Sequence, residues 1–104
     1  MAKFKDVSIS KEANIYFDGK VTSRSIVFSD GSRKTPGIML PGEYEFNTDD
    51  KEIIEILSGE LKVLLPEKTD WITFGPGDSF EVPAQSKFGL RVIKVIDYCC
   101  SFVS

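Results

Sequence analysis

The 104-residue chain has no histidine, and its two cysteines, Cys99 and Cys100, are adjacent. Without an imidazole there is no Ser-His-Asp or Cys-His relay, and the usual neutral nitrogen ligands for zinc or iron are missing. Consecutive side chains on a strand point to opposite faces, so the cysteine pair cannot converge on a metal. A disulfide between neighbours would be strained, so we expect packing thiols. Long hydrophobic runs are also absent. Stretches such as Val63-Leu64-Leu65 fall far short of the roughly 20 residues that span a bilayer as a helix, and no membrane partner is expected. Positive charge is not in excess: 13 Lys and Arg face 16 Asp and Glu, for a net charge of -3, and the basic residues are scattered. Nucleic acid is therefore not an expected partner, since phosphate-backbone binding draws on clustered cations. No Gly-x-Gly-x-x-Gly or P-loop string is present. Met1-Ala2-Lys3-Phe4-Lys5 leads into polar residues, not an apolar stretch with a small-residue cleavage site, so we expect no secretory leader and a cytoplasmic location.

What remains is β signal. Apolar or alternating runs occur at Val21 to Phe28, Ile38 to Phe46, Ile53 to Leu57, Leu61 to Leu65, Trp71 to Phe74, Phe80 to Val82, Phe88 to Val95 and Tyr98 to Val103. Asp18-Gly19, Asp30-Gly31, Pro41-Gly42, Ser58-Gly59 and Pro76-Gly77 punctuate them, glycine by tolerating positive φ and proline by presetting the turn value. No window holds helical periodicity for ten or more residues. The pattern predicts an all-β, antiparallel sandwich or barrel. Residues 1–12 form an arm that is either frayed or an extra edge strand, and residues 13–104 the barrel domain.

Two glycine-anchored segments stand out. In the first, Glu52-Ile53-Ile54-Glu55-Ile56-Leu57-Ser58-Gly59-Glu60-Leu61 reads as a hairpin turning at Ser58-Gly59. In the second, Gly77-Asp78 leads into a short strand that Pro83 ends, because proline cannot donate to the ladder. Together they resemble the two cupin motifs, with Gly37, Glu52 and Gly59 fitting the first and Gly77 and Pro83 the second. Gln85 stands where that family has glycine, Phe88 replaces the second motif's histidine, and Glu43-Tyr44-Glu45 lies near the place of the His-x-His pair. The resemblance implies a single small antiparallel, jelly-roll-like barrel whose imidazole ligands are all replaced.

A closer resemblance is to the histidine-poor cupins known as pyrimidine/purine nucleoside phosphorylases. Asn14-Ile15-Tyr16-Phe17-Asp18-Gly19-Lys20-Val21, Gly42-Glu43-Tyr44-Glu45-Phe46, Ser58-Gly59-Glu60-Leu61-Lys62-Val63-Leu64-Leu65-Pro66 and Thr69-Asp70-Trp71 carry it. It implies phosphate-dependent cleavage of the N-glycosidic bond of many nucleosides, giving free base and ribose 1-phosphate, with inorganic phosphate as co-substrate.

Such a reaction passes through a cationic sugar and needs an anionic nucleophile held below the ring, with acceptors on the ribose hydroxyls. Phosphate matches the guanidinium fork. Arg33, on the expected Asp30 to Thr35 turn, is the first candidate, with Thr35 beside it and Arg24 or Arg91 in reserve; the alternative is a solvated turn arginine. Glu43 and Glu45 share one strand face. Facing inward they would steady positive charge or bind ribose, and facing outward they are an edge-strand surface. Glu52 holds the place of the cupin carboxylate ligand, so without a metal it is a sugar acceptor or acid, or half of a buried salt bridge. Tyr44 and Phe88 offer faces on which a base could stack, and Gln85 at the rim could meet a base edge; Trp71 is assigned to the scaffold. No metal ligand set is expected, although carboxylates for a hard cation such as Mg²⁺ stay open. Exposed edge strands of so small a barrel favour a homodimer. The competing functions are a non-catalytic cupin binding a small sugar or anion, and a purely structural barrel.

Overall fold

Glycine and proline divide the chain, but not everywhere that their positions imply. The computed structural model describes residues 2–103. Among these are ten strands: β1 (Ser8–Ile9), β2 (Asn14–Tyr16), β3 (Val21–Ser23), β4 (Ile26–Val27), β5 (Arg33–Met39), β6 (Gly42–Asn47), β7 (Lys51–Leu64), β8 (Ile72–Phe74), β9 (Ser79–Val82) and β10 (Lys87–Val103). A single 3-10 turn, Phe17–Gly19, joins β2 to β3. All pairings are antiparallel, and β1 of the N-terminal arm adds to β4.

Two long strands organise the barrel. The first half of β10 pairs with β6 and with the second half of β7, whereas the second half of β10 pairs with β5 and with the first half of β7. Register shifts between Val92 and Tyr98 mark where both strands bend from one sheet into the other. Bulges supply such bends by inserting unpaired residues that raise the local twist. The expected hairpin at Ser58-Gly59 does not form: β7 runs straight through it. Gly59 has φ +95°, and a Cβ there would lie 2.2 Å from the Val95 carbonyl oxygen. It is thus the corner at which β7 crosses β10, a role that needs the same backbone freedom as a turn.

Four other boundaries differ from the expected runs. Val21 to Phe28 is cut into β3 and β4, and Ile38 to Phe46 is cut by the Leu40-Pro41 corner into β5 and β6. Residues 96–97 do not break β10, and β5 begins at Arg33, which places Arg33 and Thr35 on a strand instead of a turn. The core is built from the inward parity of these strands: Tyr44 on β6, Ile54, Ile56, Leu61 and Val63 on β7, and Leu90, Ile96 and Tyr98 on β10. Removing this apolar surface from water at about 25 cal/mol per Å² is the main stabilising contribution to so small a domain.

Candidate functional site

Inside the bent ten-stranded sheet lies a cavity of about 320 Å³, at the low end of the ~300–1,000 Å³ typical of small-ligand pockets. Its wall can be read in rows from the strand register. One row runs Thr35 on β5, Cys100 on β10, Ile54 on β7; the next, deeper, runs Gly37, Tyr98, Ile56, with Ser23 of β3 opposite Gly37. On the outer side of these rows Phe102 pairs with Glu52, and Arg33 and Asp50 complete the rim with Asp49. Phe46, Phe88 and Leu90 from the other sheet supply the apolar side. The charged side chains, Arg33, Asp49, Asp50 and Glu52, gather toward the mouth, and the rest of the lining is hydroxyl, thiol, thioether, aromatic and aliphatic apart from the Asn47 amide.

The rim is held by the connection from β6 to β7. Thr48 is buried, its hydroxyl donates to the Pro83 carbonyl at 2.6 Å, and it accepts from the Ser86 N–H at 3.0 Å. The Gln85 amide donates to the Asp49 carbonyl at 3.1 Å. Asp49 and Asp50 thus sit on a turn tied to the β9–β10 loop. Arg33 lies 4.6 Å from the Phe102 ring centroid and 4.0 Å from an Asp50 oxygen, both partners being half exposed. A pair this long and exposed contributes little to stability, so the guanidinium is free to turn to an incoming anion.

Glu52 is the carboxylate that reaches inward. Burial pushes its pKa up from 4.5, the Cys100 S–H donates to its Oε1 at 3.3 Å and partly offsets that rise, and the charges of Asp49 and Asp50 push it further up. Burial likewise raises the Cys100 thiol and the Tyr98 phenol. Desolvation disfavours the charged form in each case.

Arg33, Thr35, Glu52 and Phe88 all line this cavity. Glu43, Tyr44, Glu45 and Gln85 do not. On β6 the inward parity belongs to Tyr44 and Phe46, so Glu43 and Glu45 project outward, one bonded to Arg91 Nε at 2.8 Å and the other 3.7 Å from Lys87 Nζ. A shift of one residue turns a strand's whole set of side chains over, and Glu43-Tyr44-Glu45 is out by that one residue relative to an inward His-x-His pair. Tyr44 is buried in the core, with its hydroxyl donating to the Leu40 carbonyl at 2.6 Å. Gln85 is spent on the Asp49 carbonyl. Of the reserve arginines, Arg24 donates to the Lys11 carbonyl at 2.8 Å, and Arg91 lies over Trp71 on the outer surface.

Sequence reasoning missed Ser23, Asp49, Asp50, Tyr98 and Cys100. The strand alternation that puts Phe102 inward also puts Cys100 and Tyr98 inward, so Cys100, a buried packing thiol as expected, also lines the cavity, while Cys99 is buried on the other face. The metal that cupins hold on imidazoles does not fit this donor set: among the described residues no three His, Cys, Asp or Glu side chains gather as a possible ligand group, and the inward carboxylate is bonded to a thiol.

Comparison with known proteins bears on this geometry. A pyrimidine/purine nucleoside phosphorylase of Wolinella succinogenes is 58% identical over 103 residues, covering 99% of this chain and 98% of that one. One of Chlorobium chlorochromatii is 59% identical and covers 99% of both. Among solved structures, an Acinetobacter protein described as of unknown function superposes with a TM-score of 0.94 at 37% identity, covering 97% of this chain and 98% of that one. The EutQ protein of Clostridium difficile, with a TM-score of 0.65 at 13% identity over 79% of this chain and 67% of its own, shares the cupin fold alone. The model of the pyrimidine/purine nucleoside phosphorylase family matches residues 11–102, and the chain belongs to that family.

Proposed function

We propose that the protein catalyses phosphorolysis of purine and pyrimidine nucleosides to free base and ribose 1-phosphate, without a metal. The observation that carries this reading is the division of the cavity. A guanidinium and three carboxylates gather at the mouth, and a largely uncharged interior that includes the rings of Phe46, Phe88 and Tyr98 lies behind them. Arg33 receives inorganic phosphate. Asp49 and Asp50 accept hydrogen bonds from the ribose and offset the positive charge that develops on it, a preorganised electrostatic role. Phosphate oxygen forms its bond to C1′ as the C1′–N bond breaks, and the electron pair of that bond stays on the base. Glu52, whose pKa burial raises, gives its proton to the departing base and is reprotonated from water. The stacked pair of Phe46 and Phe88, with ring centroids 6.0 Å apart, lines the apolar side against which the base packs, and the π face it meets is common to all nucleobases.

Exposed apolar side chains on the outside of the β5–β10–β7 sheet, Ile38, Leu57 and Val95, favour a homodimer as part of the same reading, and sedimentation would check it. The test of the activity follows base release from uridine, adenosine and inosine with and without phosphate, in the presence of chelator. Release that requires phosphate and survives chelation is expected. No turnover of any nucleoside would leave a non-catalytic sugar- or anion-binding cupin, and turnover lost to chelator would bring back a metal.

A further inference from the structure

Two hydroxyls, those of Ser23 and Tyr98, sit together in the deeper row of the cavity wall, and each can either donate or accept. Ser23 is buried, lines the cavity and accepts from Asn14 Nδ2 at 3.2 Å while keeping its own hydroxyl hydrogen. Tyr98 is buried in the next row, with Ser23 beside it, and its hydroxyl donates to the Thr22 carbonyl across the cavity floor at 3.3 Å. That distance is long for an O–H···O bond, which is commonly near 2.7–2.8 Å, so little is lost when the hydrogen swings away. Thr35 and Cys100 complete the level above. The one amide bonded at this level, Asn14, donates to Ser23 and leaves the two hydroxyls of Ser23 and Tyr98 on the cavity side.

We infer that Ser23 and Tyr98 are the specificity-determining residues of the base site, and that they read the exocyclic group of a nucleobase with reversible polarity. The inference rests on the phosphorolysis reading. With the phosphate and ribose at the charged mouth, the base occupies the interior and its exocyclic group points at these two hydroxyls. When that group is a carbonyl, the Tyr98 hydroxyl leaves Thr22 and donates to it. When the group is an amine, Tyr98 stays on Thr22 and offers its oxygen lone pair as acceptor. A hydroxyl has one donor and two acceptor sites, so the same pair of side chains serves oxo and amino bases. A site built from fixed donors would leave a buried group unpaired with one of the two and reject it strongly. Acceptance of both kinds of base is then a property of this floor, and stacking alone does not account for it.

The test is a cycle between ligand group and protein group. Calorimetric binding of hypoxanthine, adenine and unsubstituted purine to the intact protein is compared for the native chain, Tyr98→Phe and Ser23→Ala, alongside kcat/KM for inosine, adenosine and purine riboside. In the native protein the oxo and amino compounds should both exceed the unsubstituted one, each by about three- to tenfold, the worth of one neutral hydrogen bond. Tyr98→Phe should erase both preferences together. Ser23→Ala should diminish both, and it reads the same cycle if Tyr98→Phe does not fold. Erasure of only the oxo or only the amino preference would overturn the inference, as would no change in either. Turnover absent with base binding intact would remove the phosphorolysis reading and leave the cycle readable.

Discussion

Replacing Gly37 with alanine isolates the contact that shapes the cavity floor. Gly37 pairs with Ser23 of β3 and Tyr98 of β10. A Cβ added there would lie 1.9 Å from the Thr22 carbonyl oxygen, 2.8 Å from Ser23 Cα and 2.9 Å from Ser23 Cβ. A close C···O contact is commonly about 3.3 Å or more, so the backbone of β3 must retreat by roughly 1.4 Å, and backbone has no rotamer with which to do it. Overpacking strain of about 1–3 kcal/mol combines with one or two weakened ladder or side-chain bonds at about 1 kcal/mol each. The expected loss is about 3 kcal/mol. For a domain of about this size each kcal/mol moves Tm by roughly 4–8 °C, so thermal unfolding should fall by about 12–24 °C. Gly77→Ala is the control: its φ of +88° is unfavourable for alanine, yet no atom lies within 4 Å of the added Cβ, and the cost should be nearer 1–2 kcal/mol. A Gly37→Ala protein that melts within about 4 °C of the native one, or no lower than Gly77→Ala, would refute the argument that the close approach of β3 to β5 is obligatory.

Arg33→Ala should raise the KM for phosphate by about 10- to 100-fold, as expected for a charge-assisted hydrogen bond of ~1.5–3 kcal/mol, and leave the nucleoside KM nearly unchanged; steady-state kinetics with each substrate varied would show an equal effect on both if Arg33 is misplaced. Glu52→Gln should lower kcat by about 10²–10⁴ through loss of the acid. It also carries a stability signature. Because the folded pKa of Glu52 lies above its ordinary 4.5, its contribution is fully present below that value and lost as pH rises through the folded pKa. The native protein should therefore lose stability relative to Glu52→Gln across that window, measured by melting both at a series of pH values; parallel curves would argue that Glu52 is not desolvated. The double replacement Glu43→Gln with Glu45→Gln, on the outward face of β6, should leave turnover within about twofold and stability within about 0.5 kcal/mol, the usual range for surface changes. A large fall in kcat would mean that the outer face of β6, and not the cavity, carries the site.

Strand existence and most turns were legible because period-two alternation and the backbone limits of glycine and proline are local properties. The inward setting of Glu52 and Phe88 was also within reach, through the motif spacing, and both line the cavity. Glu43 and Glu45 show where local information ends. Their shared face is written in the sequence, but whether it is the inner face depends on Tyr44 standing opposite Leu90 of β10, a pairing between residues far apart in the chain. Gly59 is a second case. Positive φ serves a hairpin turn and a strand corner equally well, and the choice was made by the Val95 carbonyl passing 2.2 Å from where a Cβ would be. Asp49 and Asp50 had no periodicity to mark them; hydrogen bonds from Thr48 and Gln85 to distant loops bring that turn to the rim. Composition and local pattern thus carried the absence of imidazole chemistry, the β class and the punctuation, since each follows from single residues or near neighbours. Which parity faces inward, where two long strands bend, and which polar groups meet around one cavity arise from contacts across the barrel, and those are settled by the closure of the sheet.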